Sequence, residues 1–143
     1  MFRKIDDFLS VWKYETQSTL NLYKQLTPES LDQLIYEGGR DLRTLVEHIN
    51  HTVTELPNTA GLPIELNNTE YKNPTELMEH YARDCARVAE VVKANWTDEQ
   101  MEEEIPMYGM NWSKGTSLHI WITHQAHDRG QLTVLMRQAG LKV

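Results

Sequence analysis

Apolar residues recur at helical spacing in four long stretches of this 143-residue chain. The first runs from Phe2 to Leu26 and places Ile5, Phe8, Leu9, Trp12, Leu20, Tyr23 and Leu26 on one stripe. The second runs from Arg40 to Leu56, with Leu42, Leu45, Val46, Ile49, Val53 and Leu56 in phase. The third follows Asn73-Pro74 and carries Leu77, Met78, Tyr81, Cys85, Val88 and Val92. The fourth runs from Thr116 to Ala139, with Gly140 placed as its closing cap. Alternation with period two is nearly absent. The pattern predicts an all-α four-helix bundle, one domain over residues 1–143, with a long connection between the second and third long helices.

The breaks support these limits. Thr27-Pro28-Glu29 reads as a cap followed by Pro at the first turn of a short helix, which Gly38-Gly39 ends. Pro57 is expected to stop the second helix. Asn58 to Asn73 is rich in Asn, Gly, Pro and Thr and reads as loop. Trp96-Thr97-Asp98 breaks the third pattern, and Thr97 caps a short acidic turn through Glu104. Pro106 to Gly115 reads as a loop that exposes Tyr108 and Trp112.

The formal charge is −7, and the 14 Lys and Arg are scattered rather than gathered on one face. A nucleic-acid partner is therefore not expected. No stretch approaches the roughly 20 apolar residues of a membrane span. The start of the chain carries no apolar leader, and the single cysteine, Cys85, rules out an internal disulfide framework. These features predict a cytoplasmic protein with no membrane partner. Cys85 lies on the apolar stripe and reads as a buried structural thiol.

The six histidines carry the functional signal, since five fall in two clusters on the second and fourth helices. At about 100° per residue, with His124 at zero, the apolar direction of the fourth helix lies near roughly 80°. Asp128 then lies at roughly 40° and His127 at roughly −60°, so Asp128 is nearer the interior. His124 and Asp128 are also one turn apart and can reach a single ion. On the second helix, His48 sits at the edge of the apolar face and His51 points further out. His48, His124 and Asp128, with His127 as the alternative third ligand, are thus the candidate metal ligands. Imidazole and carboxylate suit one divalent ion: zinc or nickel first, with ferrous iron as the remaining candidate. Three protein ligands leave positions open, which is a catalytic layout. An inward Asp needs a partner, and Arg129 or Arg43 is the competing one. His80 and His119 read as solvated or hydrogen-bonded histidines.

The segment from His124 through Asp128-Arg129-Gly130-Gln131-Leu132 to Gly140 resembles the signature of the DinB/YfiT-like family of bacterial metal-binding proteins. Leu45-Val46-Glu47-His48-Ile49 is similar to that family's second-helix segment carrying the first His. The resemblance covers essentially the whole chain. It implies a four-helix bundle holding a divalent metal on three histidines, at His48, His124 and position 128. Here position 128 is Asp, preceded by His127, which departs from the family pattern.

Relatives in that family include thiol S-transferases and thiol-dependent isomerases using bacillithiol or mycothiol, and others described only as metal-dependent hydrolases. The resemblance implies a metal-dependent enzyme that activates a low-molecular-weight thiol cofactor or water for attack on a small-molecule electrophile. Glu47, Tyr108, Trp112 and Gln131 are candidates to line its pocket. The alternatives are a non-enzymatic metal-binding stress-response or sensor module and a purely structural bundle. Four Trp and six Tyr exceed what one small core needs to bury fully, so a homodimer is expected.

Overall fold

The computed structural model describes all residues from Met1 to Val143. Its four helices are α1 (Ile5–Tyr23), α2 (Leu42–Thr59), α3 (Pro74–Asn95) and α4 (Lys114–Gln138). Side chains set three of the starts by accepting an otherwise orphaned backbone N–H. Asp41 Oδ1 accepts from Thr44 at 2.7 Å, Asn73 Oδ1 from Glu76 at 2.9 Å, and Ser113 Oγ from Thr116 at 3.1 Å. At the start of α1 a distant residue does this work: the Ile5 N–H donates to Asp98 Oδ1 at 2.8 Å. Gly140, at φ 76°, closes α4, with Gly140 N–H bonding Arg137 O and Leu141 N–H bonding Met136 O.

Two local expectations are corrected. Pro57 lies inside α2, which continues to Thr59. In the last turn a proline removes only one intrahelical bond, and burial of Leu56, Pro57 and Ala60 compensates. The expected loop from Pro106 to Gly115 is instead mostly a β-hairpin. Strands β1 (Glu104–Met107) and β2 (Met110–Ser113) pair antiparallel, with Glu104 opposite Ser113 and Met107 opposite Met110. Its two-residue turn has positive φ at both Tyr108 (51°) and Gly109 (78°). Such turns favour Asn-Gly or Asp-Gly, so Tyr108 hides the hairpin from a sequence reading. Trp112, expected to be exposed, is half-buried on β2.

The helices do not pack in chain order. The principal neighbours of both α1 and α2 are α3 and α4. Of the three pairs consecutive in sequence only α2 with α3 is adjacent, while α1 with α2 and α3 with α4 face each other across the bundle. One contiguous core fills the space between, built on Phe8, Trp12, Tyr23, Ile49, Tyr81, Val88, Trp121 and Leu132. Phe8 stacks on Trp12 at 5.6 Å and meets Trp121 edge-on at 6.0 Å. No helix is long and apolar enough to cross a membrane. The start of α4 is pinned by the N-terminal segment, where Phe2 N–H donates to Gly115 O at 3.1 Å. A Cβ at Gly115 would run into the Phe2 carbonyl oxygen, so this close approach requires glycine.

Candidate metal centre

Because α2 and α4 are neighbours, His48 is brought against His124 and Asp128. One ligand atom from each of the three lies within 4.8 Å of the others. Asp128 Oδ2 is 3.0 Å from His124 Nδ1 and 3.7 Å from His48 Nε2. Asp128 is buried, at 2% exposure, while both imidazoles reach the surface of a cleft. Asp128 Oδ2 and His124 Nδ1 are buried and make no hydrogen bond to any other group of the protein. Buried polar atoms are seldom left so. Two donors about 2.0–2.2 Å from one zinc-sized ion would themselves be about 3–3.5 Å apart. The donor set and its spacing therefore fit a divalent cation.

The competing arginine partners are engaged elsewhere. Arg129 pairs with Glu15 of α1 at 2.6 Å, and Arg43 lies 3.8 Å from Asp32 while donating to the Tyr71 carbonyl at 3.0 Å. The Asp128 carboxylate instead acts on the histidines. It holds the His124 imidazole above the usual histidine range, against the opposing pull of burial. Burial holds His48 below that range, only partly offset by Asp128.

Polar residues behind the centre hold α2, α3 and α4 in register. Tyr81 Oη donates to Gln125 Oε1 at 3.0 Å, and Gln125 Nε2 reaches Thr52 Oγ1 at 3.5 Å. Gln125 adjoins His124 in sequence, so the same contacts fix the ligand-bearing turn of α4.

The cleft beside the centre has a volume of about 470 Å³. Leu56, Tyr108, Trp112 and Ile120 form its apolar wall, and His48, His51, Thr52, Glu55 and His124 its polar one. The hairpin tip closes over it, where Tyr108 Oη donates to Glu55 Oε1 at 2.5 Å. Desolvation and the Glu55 carboxylate push the Tyr108 phenol up to about 12. Tyr108 also packs on Trp112, with ring centroids 5.9 Å apart.

Of the four residues expected to line the pocket, Tyr108 and Trp112 do so. Glu47 faces the connection and accepts from Tyr71 N–H at 3.3 Å, while Gln131 contacts His127 at 2.8 Å on the exposed side of α4. The structure thus brings Asp128, and not His127, to the two imidazoles. His80 packs edge-on against Tyr71 and His119 is exposed. Cys85 is buried, and burial pushes its thiol up to about 12, which leaves it inert as a nucleophile. His51, expected to point further out than His48, and Glu55, for which no role was expected, both line the cleft. Their spacing of three and seven from His48 carries the signal, since those offsets share a helix face.

The DinB family model matches residues 1–143. The chain is 34% identical over 146 residues to the uncharacterized protein YrdA of Bacillus subtilis (strain 168), covering 100% of this chain and 87% of YrdA. The crystal structure of a DinB-like protein from Bacillus cereus ATCC 10987 is similar with a TM-score of 0.93 at 34% identity, covering 100% of this chain and 97% of that one. The fold is shared with YfiT from Bacillus subtilis, described as a probable metal-dependent hydrolase with an unusual four-helix bundle topology. That likeness has a TM-score of 0.71 at 17% identity, over 96% of this chain and 89% of YfiT. With a whole-length family match and relatives at this identity, the chain belongs to the DinB family.

Proposed function

We propose that this protein is a metal-dependent hydrolase of small molecules, holding one divalent ion on His48, His124 and Asp128. The observation that carries the reading is the convergence of the three donors, with Asp128 Oδ2 and His124 Nδ1 buried and turned only to one another and to His48. YfiT, of the same fold and described as a probable metal-dependent hydrolase, supports it. Zinc and nickel suit the two-imidazole, one-carboxylate set, and ferrous iron is the third candidate. Such an ion, when bound, acts as a Lewis acid and lowers the pKa of water. Asp128 contributes the negative charge that the family's third histidine lacks. The Tyr108–Trp112 wall would hold the apolar part of a substrate, with Glu55 and Thr52 offering polar contacts.

The same centre would serve a low-molecular-weight thiol cofactor, which is the S-transferase reading. Cys85 is too deeply buried to supply that thiol. The chain's single free thiol suits a reducing, cytoplasmic setting.

The test is elemental analysis of protein purified without a metal-affinity tag, followed by two substrate panels. We expect about one ion per chain, lost in His48→Ala and Asp128→Asn. Absence of stoichiometric metal, with no difference in these variants, rejects the ligand assignment. Turnover of esters or amides supports the hydrolase. Turnover only with a thiol and an electrophile replaces it by the S-transferase, and a metal-loaded protein inert in both panels is a binding or sensor module.

A further inference from the structure

His51 is the third histidine of the cleft, and its environment differs from that of the ligand pair. Its Nδ1 lies 3.0 Å from the backbone carbonyl of Asn67. A carbonyl oxygen only accepts, so Nδ1 must carry the proton. In the neutral ring this leaves Nε2 as the bare lone pair. Nε2 makes no hydrogen bond within the protein and is not among the buried unpartnered atoms, so solvent in the cleft reaches it.

The carbonyl that orients the ring is itself held firmly. Asn67 is buried in the connection between α2 and α3. Its N–H donates to Thr54 Oγ1 at 2.8 Å, and its side-chain amide donates to Asp84 Oδ2 at 2.6 Å and Tyr71 Oη at 2.8 Å. A base oriented by a rigid acceptor on its far nitrogen is the arrangement used to aim an imidazole at a reacting proton. The groups sharing its cleft are His48 and Glu55 on α2, Tyr108 on the hairpin and His124 on α4.

We propose that His51 is the general base of the cleft, acting through Nε2 on the attacking water. The inference rests on the hydrolase reading above. As the water oxygen forms its bond to the substrate carbonyl carbon, its proton passes to His51 Nε2. When the bond from that carbon to the leaving oxygen or nitrogen breaks, the bonding pair goes to the leaving atom. His51 then returns the proton to it, and the ring is neutral again. No oxidant or reductant is needed.

Two measurements test this. Nitrogen NMR of the full-length protein, metal-free and zinc-loaded, with His51→Gln for assignment, reads the tautomer directly. We expect protonated Nδ1 and bare Nε2 in both states. A ring protonated at Nε2, or bound to zinc through it, overturns the proposal. The second measurement is hydrolysis of para-nitrophenyl acetate and para-nitroacetanilide by the zinc-loaded protein. His51→Gln should lower kcat by about 10²–10⁴-fold and abolish the solvent deuterium isotope effect, while zinc affinity stays at the wild-type value. An unchanged kcat, or a loss of zinc affinity matching that of His48→Ala, overturns the role of His51 and leaves the hydrolase reading intact. Zinc-loaded wild type that hydrolyses neither probe removes the hydrolase reading, and the base with it.

Discussion

Replacing Asp128 by Asn should have opposite effects on the metal-free protein at low and high pH. At about pH 6, His124 is protonated, because the neighbouring carboxylate raises its pKa above the ordinary value of about 6.5. Asp128 and His124 then form an ion pair at 3.0 Å. Exposed pairs contribute under about 1 kcal/mol, whereas breaking a fully buried pair costs about 3–5 kcal/mol. Here the carboxylate is buried but the imidazole is 31% exposed, so the loss should be about 2 kcal/mol. For a chain of this length that lowers Tm by about 6 °C. A raised histidine pKa stabilises the fold fully below the unfolded value, and this is lost as pH climbs through the folded value. As pH climbs past the raised His124 value, toward about pH 9, the imidazolium is lost and the buried Asp128 Oδ2 faces no cation. Asn then removes a desolvation cost of about 1–3 kcal/mol, and Tm should hold or rise. Thermal melts of chelator-treated wild type and variant at both pH values measure this. Zinc at about 100 times its Kd should add about 2.7 kcal/mol to the wild type and almost nothing to the variant. Equal destabilisation at both pH values, or a retained zinc shift, would refute the assigned role of Asp128.

Further outcomes follow from other contacts. Arg129→Ala strips the partner from buried Glu15 and should cost about 3 kcal/mol in urea unfolding; a change within error would mean the pair is not formed in solution. Gly115→Ala should cost about 1–3 kcal/mol, because a Cβ there meets the Phe2 backbone, and an unshifted unfolding midpoint would contradict that close approach. Tyr108→Phe removes the hydroxyl that donates to Glu55 and should speed amide exchange in the hairpin, with a stability loss of about 1 kcal/mol; unaltered exchange would show that this bond does not hold the hairpin tip. Light scattering at micromolar concentration tests the expected homodimer. Tyr14, Tyr36 and Tyr108 are exposed, but Trp12, Trp96, Trp121, Tyr23, Tyr71 and Tyr81 are taken up by the core, so less aromatic surface is left over than composition implies.

Helical phase was enough to read the inward turn of Asp128 and the position of His48 at the edge of a buried face. Both depend only on about 100° per residue. The same phase turns His51 further from the core, and it is not among the three converging donors. The acceptor that orients its ring, the Asn67 carbonyl, lies outside α2 and is delivered by the connection to α3. The hairpin was missed because its strands are four residues each, one containing Pro106, and its turn uses Tyr108 where Asn is usual. The preference of Arg129 for Glu15 over Asp128 required knowing that α1 lies beside α4.

Where the helices run, how most of them end and which residues each turns inward can be read along the chain alone. Those properties arise from contacts three or four residues apart and from caps at fixed offsets. That α2 packs beside α4, and hence that His48 meets His124 and Asp128, emerges from the three-dimensional packing. The same packing also places the hairpin over the resulting cleft and the Asn67 carbonyl behind His51. Neighbour choice in a bundle depends on how whole faces interlock and how the connections route between them, and neither is written in any local window of the chain.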